Sequence, residues 1–297
     1  MRLFDYALFY GASEADWPFA TTGALPPTPK ELGRDIASRL GALLALKKGP
    51  HLRGVLYLSS NCNAASNRDS FVRILTSHMA GRALRVDSVG ACLHNREVPD
   101  DLVADEFDPT TNRSFRTSWN PRFYPAQVKL TQRYLFRVVA PNSLCEDYVT
   151  EKLTVTLHAG SVPIYLGAPN GKLWDPGLAT GVHPAMIHAA DFDSAAALAR
   201  HVARVAHNET LYRRHFEWWA HAADMTWPQH LPSLRAKREG TRNFEEYACL
   251  KLHTHAFAEG AGPLRRKHAH VPTNCAGTWE QYFAGLGKDL TKWRAKT

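Results

Sequence analysis

The sequence predicts an α/β fold in which a parallel sheet carries helices on both faces. From residue 54 onward, short apolar runs alternate with segments whose apolar residues recur at helical spacing, an order typical of βαβ units. With 44% hydrophobic and 22% charged residues, the 297-residue chain has the composition of a folded globular protein. No apolar run approaches the about 18 residues of a membrane-spanning helix, so none is predicted.

The first half of the chain supplies two strands and two helices. A proline-rich connector at 23–30 excludes regular structure there, and apolar residues at helical spacing predict a helix over 32–46. The apolar run at 54–60 predicts a strand buried on both faces. A helix over 68–80 and a strand over 84–87 complete this half.

The second half resumes the alternation after an irregular region at 91–125 that contains several prolines. Its central helix is predicted over 148–158, because Val149, Leu153 and Leu157 repeat every four positions and Gly160 provides a C-cap. The other predicted elements are helices over 126–133, 194–206 and 210–220 and strands over 134–139, 161–166 and 185–188. Ligands of such sheets bind at the carboxyl ends of strands, so the loops after 60, 139 and 166 should share one rim.

The net charge of +8 is compatible with nucleic acid, an anionic membrane surface or a phosphorylated small ligand. The basic residues are scattered, and neither zinc-finger spacing nor a basic leucine-zipper pattern accompanies them, so nucleic-acid binding is not predicted. We expect most of these charges to form a solvated surface and a few to face a diphosphate.

The most informative stretch is NSLCEDYVTEKLTVTLHAGSVPIYLGAP at 142–169. Tyr148, Glu151 and Lys152 stand after a predicted strand, where a helix N-terminus can attract phosphate. Lys152 adds a full charge, Glu151 can accept hydrogen bonds from ribose hydroxyls, and Tyr148 offers a ring and a hydroxyl. Without its flanks, the Glu151–Lys152 pair would be interpreted as an ordinary charged pair on a helix surface.

This stretch resembles the donor-binding signature of the α1,3-fucosyltransferases, DYxTEK followed by a helix and AGxVPxxxG. The loop SSNCNAASNRDSF at 59–71 and the segment VDSVGACLHN at 86–95 resemble the same family. The resemblance implies that Arg68 binds the donor diphosphate and that Asn142 shapes the site. It also implies a donor loop in which Asn61 and Asn63 can hydrogen-bond the ligand and Gly167 lets the backbone approach it.

The family implies a GT-B fold whose first domain is truncated here. The predicted organisation is a remnant of the acceptor domain at 1–50, a Rossmann-like GDP-fucose-binding domain at 51–225, and an irregular and helical extension at 226–297. The family's catalytic base is a glutamate expected upstream of Met1, so no catalytic residue is assigned. By resemblance we expect a type II membrane protein of the Golgi lumen with its anchor in an upstream segment.

The expected reaction is inverting α1,3-transfer of fucose from GDP-fucose to a GlcNAc-containing glycan or glycoprotein. It requires no cofactor and neither needs nor forbids a divalent metal. The alternative is a non-catalytic relative that binds a nucleotide sugar or glycan, or a fragment without the base. It is favoured by Pro141, which stands where the family has the glutamate of Phe-Glu-Asn-Ser.

Cysteines and sequons give weaker indications of a secretory compartment. In such a compartment Cys249–Cys275 is the first predicted disulfide and Cys62–Cys92 the second, with Cys145 left free. Five reduced, buried cysteines are the alternative, and no CxxC motif indicates a zinc site. The sequons place candidate glycosylation sites at Asn112 and Asn208.

Overall fold

The computed structural model describes residues 41, 44–45, 54–82, 84–103, 107–108, 113–114, 124–146, 148–221 and 275–296. The connector at 23–30 and both predicted domain boundaries lie outside these ranges, as do Asn112 and Cys249. Of the helix predicted over 32–46, only residues 41, 44 and 45 are described, and all three are helical.

A five-stranded parallel sheet forms the centre of the fold, in the order β2-β1-β5-β6-β7. All five predicted strands are present, each shorter than predicted: β1 Val55–Tyr57, β2 Val86–Ser88, β5 Phe136–Val139, β6 Val162–Tyr165 and β7 Ile187–His188. The region predicted to be irregular contains a small antiparallel pair, β3 Phe107–Asp108 and β4 Arg113–Ser114. Because every neighbour in the main sheet is parallel, the loops that follow its strands lie at one edge.

The helices cover both faces of this sheet. Val55 and Tyr57 of β1 pack into one hydrophobic cluster, whereas Leu56 between them belongs to another. The helices with described bounds are α1 Arg68–Met79, α2 Tyr124–Gln132, α3 Glu151–His158, α4 Pro176–Ala179, α5 Ala195–Ala206, α6 Glu209–Arg214 and α7 Trp279–Gly285. The α1 and α5 helices contact each other, and α2 contacts α3. The predicted parallel α/β fold is confirmed.

Two helices differ most from their predicted bounds. The central helix starts at Glu151 rather than at 148, because Thr150 has extended backbone angles and occupies the N-cap. Gly160 follows this helix with a φ of 61°, which agrees with its predicted capping role. The segment predicted over 210–220 divides into α6 and a 3₁₀ turn at Glu217–His221.

The C-terminal segment at 275–296 packs back against α1. Trp279 and Trp293 contact Phe71 of α1, with ring centroids of Trp279 and Phe71 5.9 Å apart, and Phe283 packs against both tryptophans. None of the helices in the described ranges has the length and apolarity to cross a bilayer.

Within the described ranges, two disulfides hold loops of the carboxyl edge, one of them to the C-terminal segment. The predicted Cys62–Cys92 bond is present and joins the loops after β1 and β2. The predicted Cys249–Cys275 bond is wrong, because Cys275 pairs with Cys145, which therefore is not free. Sequence spacing could not distinguish these partners, since the bond joins positions 130 residues apart.

Candidate functional site

Three segments meet at the carboxyl edge of the sheet: the loop after β1, the loop after β5 and the C-terminal segment. Ser66 connects all three. Its N–H donates to the Asn142 carbonyl at 2.9 Å and its hydroxyl donates to the Pro141 carbonyl at 2.8 Å. The backbone N–H of Trp279 donates to the Ser66 carbonyl at 3.0 Å. Two of these segments were predicted to form the site, whereas the third has no local sequence signal.

Arg68 is held inside this junction. Its side chain begins at the first residue of α1, as predicted, but the residue is only 1% exposed. The guanidinium donates to the Ala140 carbonyl at 2.9 Å, to the Asn61 carbonyl at 2.7 Å and to the Ser59 hydroxyl. Among the described residues nothing accepts from Nε. Arg68 therefore ties the loop after β1 to the end of β5.

The start of α1 is fixed by the C-terminal segment. Asn67 has a left-handed backbone with a φ of 52°, which non-glycine residues adopt infrequently. Its side-chain amide donates to Glu280 Oε1 at 2.7 Å, and the Ser70 hydroxyl donates to the same oxygen at 3.2 Å. Glu280 thus holds the turn from which Arg68 emerges, a contact between residues 213 positions apart that periodicity cannot reveal.

Tyr148, Glu151 and Lys152 come together as predicted, around the N-terminus of α3. Lys152 Nζ lies 2.7 Å from Glu151 Oε1, and both side chains are less than 20% exposed, at 17% and 15%. Burial raises the pKa of Glu151, but the charge and hydrogen bond of Lys152, with the Arg137 charge, outweigh it and lower the pKa below its ordinary value. Glu151 is therefore an ionised hydrogen-bond acceptor near neutral pH.

Tyr148 interacts electrostatically with both Glu151 and Arg68. Burial and the Glu151 charge raise the pKa of the Tyr148 phenol, whereas the Arg68 charge opposes that rise. The half-buried phenol therefore senses both charged groups and remains a neutral donor near pH 7. Arg68, Tyr148 and Glu151 belong to one electrostatic neighbourhood.

Thr150 leaves a polar group available at the same place. It occupies the N-cap of α3 and is 6% exposed, yet its side chain caps no backbone amide. Its Oγ1 is buried and has no hydrogen-bond partner among the described residues. Buried hydroxyls are usually hydrogen-bonded, so this one suits a ligand with polar atoms. The motif contained Thr150, but its cap geometry could not be predicted without the exact start of the helix.

The predicted donor-loop asparagines form a small turn. The backbone N–H of Asn63 donates to Asn61 Oδ1 at 3.1 Å, and both residues are exposed. Asn142 is partly buried and contributes its carbonyl to Ser66. Pro141, in the place of the family's glutamate, is buried and likewise contributes a carbonyl. This position therefore offers structural acceptors and no carboxylate.

A cavity of about 380 Å³ opens at the carboxyl ends of β6 and β7. Tyr165, Tyr282, Lys172, Lys288 and His188 are among its lining residues. His188 Nε2 lies 2.9 Å from Asp175 Oδ2, a buried carboxylate that also accepts backbone N–H groups. Neither Arg68 nor Lys152 lines this cavity.

Gly167, the predicted donor-loop glycine, lines this cavity and also packs against Tyr165. A Cβ atom at Gly167 would lie 2.3 Å from Tyr165 Cζ, and one at Gly171 would lie 2.3 Å from Tyr165 Cε1. The Tyr165 hydroxyl in turn accepts from the backbone N–H of Ala168 at 3.0 Å. These glycines therefore make room for an aromatic ring of the protein itself.

One group of potential metal ligands occurs within the described part of the chain. Cys62, Asp69 and Cys92 bring their ligand atoms within 4.8 Å of one another. Both sulfur atoms are joined in the disulfide, so this group does not offer the thiolates that a zinc site requires.

Comparisons with known proteins agree with the sequence motifs. The family model described as Glycosyltransferase family 10 (fucosyltransferase) C-term matches residues 50–257. GDP-fucose protein O-fucosyltransferase 3 of Gallus gallus is 33% identical over 192 residues, which are 65% of this chain and 35% of that protein. Alpha-(1,3)-fucosyltransferase B of Drosophila melanogaster is 32% identical over 158 residues, 53% of this chain and 31% of that protein.

A crystal structure of an alpha1,3-fucosyltransferase overlaps this fold with a TM-score of 0.42 and 17% identity, covering 68% of this chain and 49% of that chain. The chain spans about a third of the length of the two curated relatives named above.

Proposed function

Because this chain belongs to glycosyltransferase family 10, the fucosyltransferases, we propose that it binds GDP-fucose and, in the complete protein, transfers the fucose to an acceptor hydroxyl. The observation that carries the proposal is the cluster at the start of α3. There the Glu151–Lys152 pair, the Tyr148 phenol and the Thr150 hydroxyl, which has no partner among the described residues, surround a helix N-terminus. A nucleoside diphosphate matches this combination of positive charge, hydroxyl donors and a carboxylate acceptor.

Lys152 and Glu151 exchange partners when the donor binds. In the free protein each neutralises the other at 2.7 Å. The donor's diphosphate attracts the Lys152 ammonium, and the ribose hydroxyls donate to the Glu151 carboxylate that this frees. The lowered pKa of Glu151 supports this role, because an ionised carboxylate only accepts hydrogen bonds.

Arg68 contributes its positive charge to the site, but it does not itself donate a pair of hydrogen bonds to the diphosphate. Its N–H groups already donate to Ala140, Asn61 and Ser59, so it supports the loops that hold the diphosphate. Its positive charge still reaches the Tyr148 phenol. We assign Lys152 as the main cation that stabilises the leaving GDP.

The proposed reaction inverts the anomeric centre. An acceptor oxygen forms a bond to C1 of fucose while the bond from C1 to the β-phosphate oxygen breaks, and GDP leaves with the electron pair. A carboxylate that acts as the general base takes the acceptor proton. We propose α1,3-transfer to a GlcNAc-containing glycan, supported by the name of the Drosophila melanogaster relative. The name of the Gallus gallus relative supports a protein hydroxyl as the second acceptor candidate.

A non-catalytic nucleotide-sugar or glycan-binding protein is the second candidate function. Pro141 favours it, because this buried proline removes a carboxylate that the family motif carries beside the donor site. This candidate retains GDP binding and lacks transfer.

Calorimetry and transfer assays together test both functions. We expect GDP and GDP-fucose to bind the present chain. Transfer is then measured with and without the upstream segment, using lactosamine, an N-glycan core and a serine- and threonine-containing glycoprotein. Donor binding with no transfer by the extended chain would favour the second candidate. Absence of GDP binding would contradict both.

We also propose that the protein works in the Golgi lumen, anchored by a segment upstream of Met1. The two disulfides among the described residues support an oxidising compartment.

A further inference from the structure

The sequon Asn208-Glu209-Thr210, which the proposed transfer does not use, begins at the last residue of the turn between α5 and α6 and continues into the first turn of α6. All three residues are exposed. The Asn208 side chain accepts from the Leu211 N–H at 3.1 Å through Oδ1, whereas nothing in the described ranges accepts from Nδ2. We propose that Asn208 carries an N-linked glycan. This proposal follows from the exposure and hydrogen bonding of Asn208 and does not require that the protein binds GDP-fucose.

The helix cap and the modification use different atoms of the same amide. Glycosylation joins Nδ2 to C1 of an oligosaccharide carried on a polyprenyl diphosphate. The bond from C1 to the diphosphate oxygen breaks, the lipid diphosphate leaves, and Nδ2 loses one proton. The carbonyl oxygen keeps its lone pairs, so Oδ1 continues to cap α6. The modified residue therefore fits the turn without loss of a backbone hydrogen bond.

The disulfides provide independent support for the compartment in which this reaction occurs. Cys62–Cys92 and Cys145–Cys275 both connect loops of the carboxyl edge. Structural disulfides form and persist in secretory and extracellular compartments. Sequons exposed on the surface of secreted proteins are the acceptors of N-linked glycans.

The turn lies at the edge of the sheet opposite to the donor site. The chain passes from the carboxyl end of β7 into α5, which returns it to the amino edge. The Tyr212 hydroxyl of α6 donates to the Leu135 carbonyl at 2.9 Å, and Leu135 directly precedes the first residue of β5. A glycan at Asn208 therefore points away from Glu151 and Lys152, which follow the far end of β5.

The test expresses the full chain behind a secretory leader in a eukaryotic host and recovers it from microsomes. Peptide mass spectrometry before and after amidase deglycosylation identifies occupied asparagines one by one, which separates Asn208 from Asn112. We expect the Asn208 peptide to carry hexose-containing mass. We expect the same in Thr210→Ser, which keeps the sequon, and its loss in Thr210→Ala.

Asn208→Asp is the matched control for folding. It removes the glycan but retains an N-cap oxygen, so its thermal midpoint should equal that of the enzymatically deglycosylated protein. GDP affinity should agree within twofold between the glycosylated and deglycosylated forms. An unmodified Asn208 peptide in the wild-type protein would overturn the proposal. A more than fivefold change in GDP affinity on deglycosylation would contradict the placement of the glycan.

Discussion

Arg68 and Lys152 are cations of two loops at the same edge of the sheet, yet their surroundings differ. The Arg68 guanidinium is buried and donates to three oxygens of its own protein. Lys152 is 17% exposed at its side chain and, among the described residues, pairs with one carboxylate, that of Glu151. The first cation closes a junction between loops, and the second can change partner when a ligand arrives. Two motif residues with the same charge can therefore serve stability and binding separately.

Replacement of Arg68 should produce the largest effect on stability. Arg68→Lys removes most of the three hydrogen bonds made by a buried, charged group, so we expect the free energy of unfolding to fall by about 3–5 kcal/mol. Urea denaturation measures this change. The control is Arg73→Lys on the exposed side of the same helix, with a change of about 0.5 kcal/mol or less. Equal results for the two variants would contradict the structural role of Arg68.

The Cys145–Cys275 bond joins the loop after β5, which carries Tyr148, to the C-terminal segment. Replacing both cysteines with serine should lower the free energy of unfolding by about 2–4 kcal/mol, because the bond closes a long loop of the unfolded chain. GDP affinity should fall as well, since the bond anchors the loop that carries Tyr148. The matched pair Cys62→Ser and Cys92→Ser should affect stability less, because that bond closes only 30 residues. A greater loss in the matched pair would reverse this ranking.

Lys152→Ala should affect binding more than stability. We expect GDP affinity to decrease by about 1.5–3 kcal/mol, the typical contribution of a charge-assisted hydrogen bond. The free energy of unfolding should fall less than in Arg68→Lys, because Lys152 has one ion-pair partner among the described residues, whereas Arg68 donates to three oxygens. Calorimetry measures the binding, and Lys292→Ala is the control, a lysine paired with Asp289. Unchanged GDP affinity would remove Lys152 from the site.

A fall in pH should weaken the Glu151–Lys152 pair more than the loop junction around Arg68. The pKa of Glu151 is depressed below 4.5 in the folded protein, so its ion pair stabilises the fold above that pH. This contribution is lost as the pH falls through the lower, folded pKa, and we expect it to be about 1 kcal/mol or less. Urea denaturation between pH 7 and pH 3 measures it, and Glu151→Gln should lack this component. An identical pH dependence in that variant would contradict the assignment.

The sequence predicts the succession of strands and helices along the chain, because the spacing of apolar residues within each segment is a local property. It also predicts that Tyr148, Glu151 and Lys152 lie together, since they share one short motif. The burial of Arg68 could not be predicted, because its acceptor on Ala140 is 72 residues away. The packing of Tyr165 against Gly167 could not be predicted for a similar reason. A small residue can make room for a ligand or for a side chain, and only packing distinguishes the two.

The bond between Cys145 and Cys275 turns 130 residue steps of the chain into a covalent ring. A protease that cuts once inside this ring produces two pieces that remain attached to each other. The nicked protein would migrate as a single band on a denaturing gel without reductant and would separate into two bands with it. A backbone break between β6 and β7 would therefore leave the loop that carries Tyr148 covalently linked to the segment that carries α7.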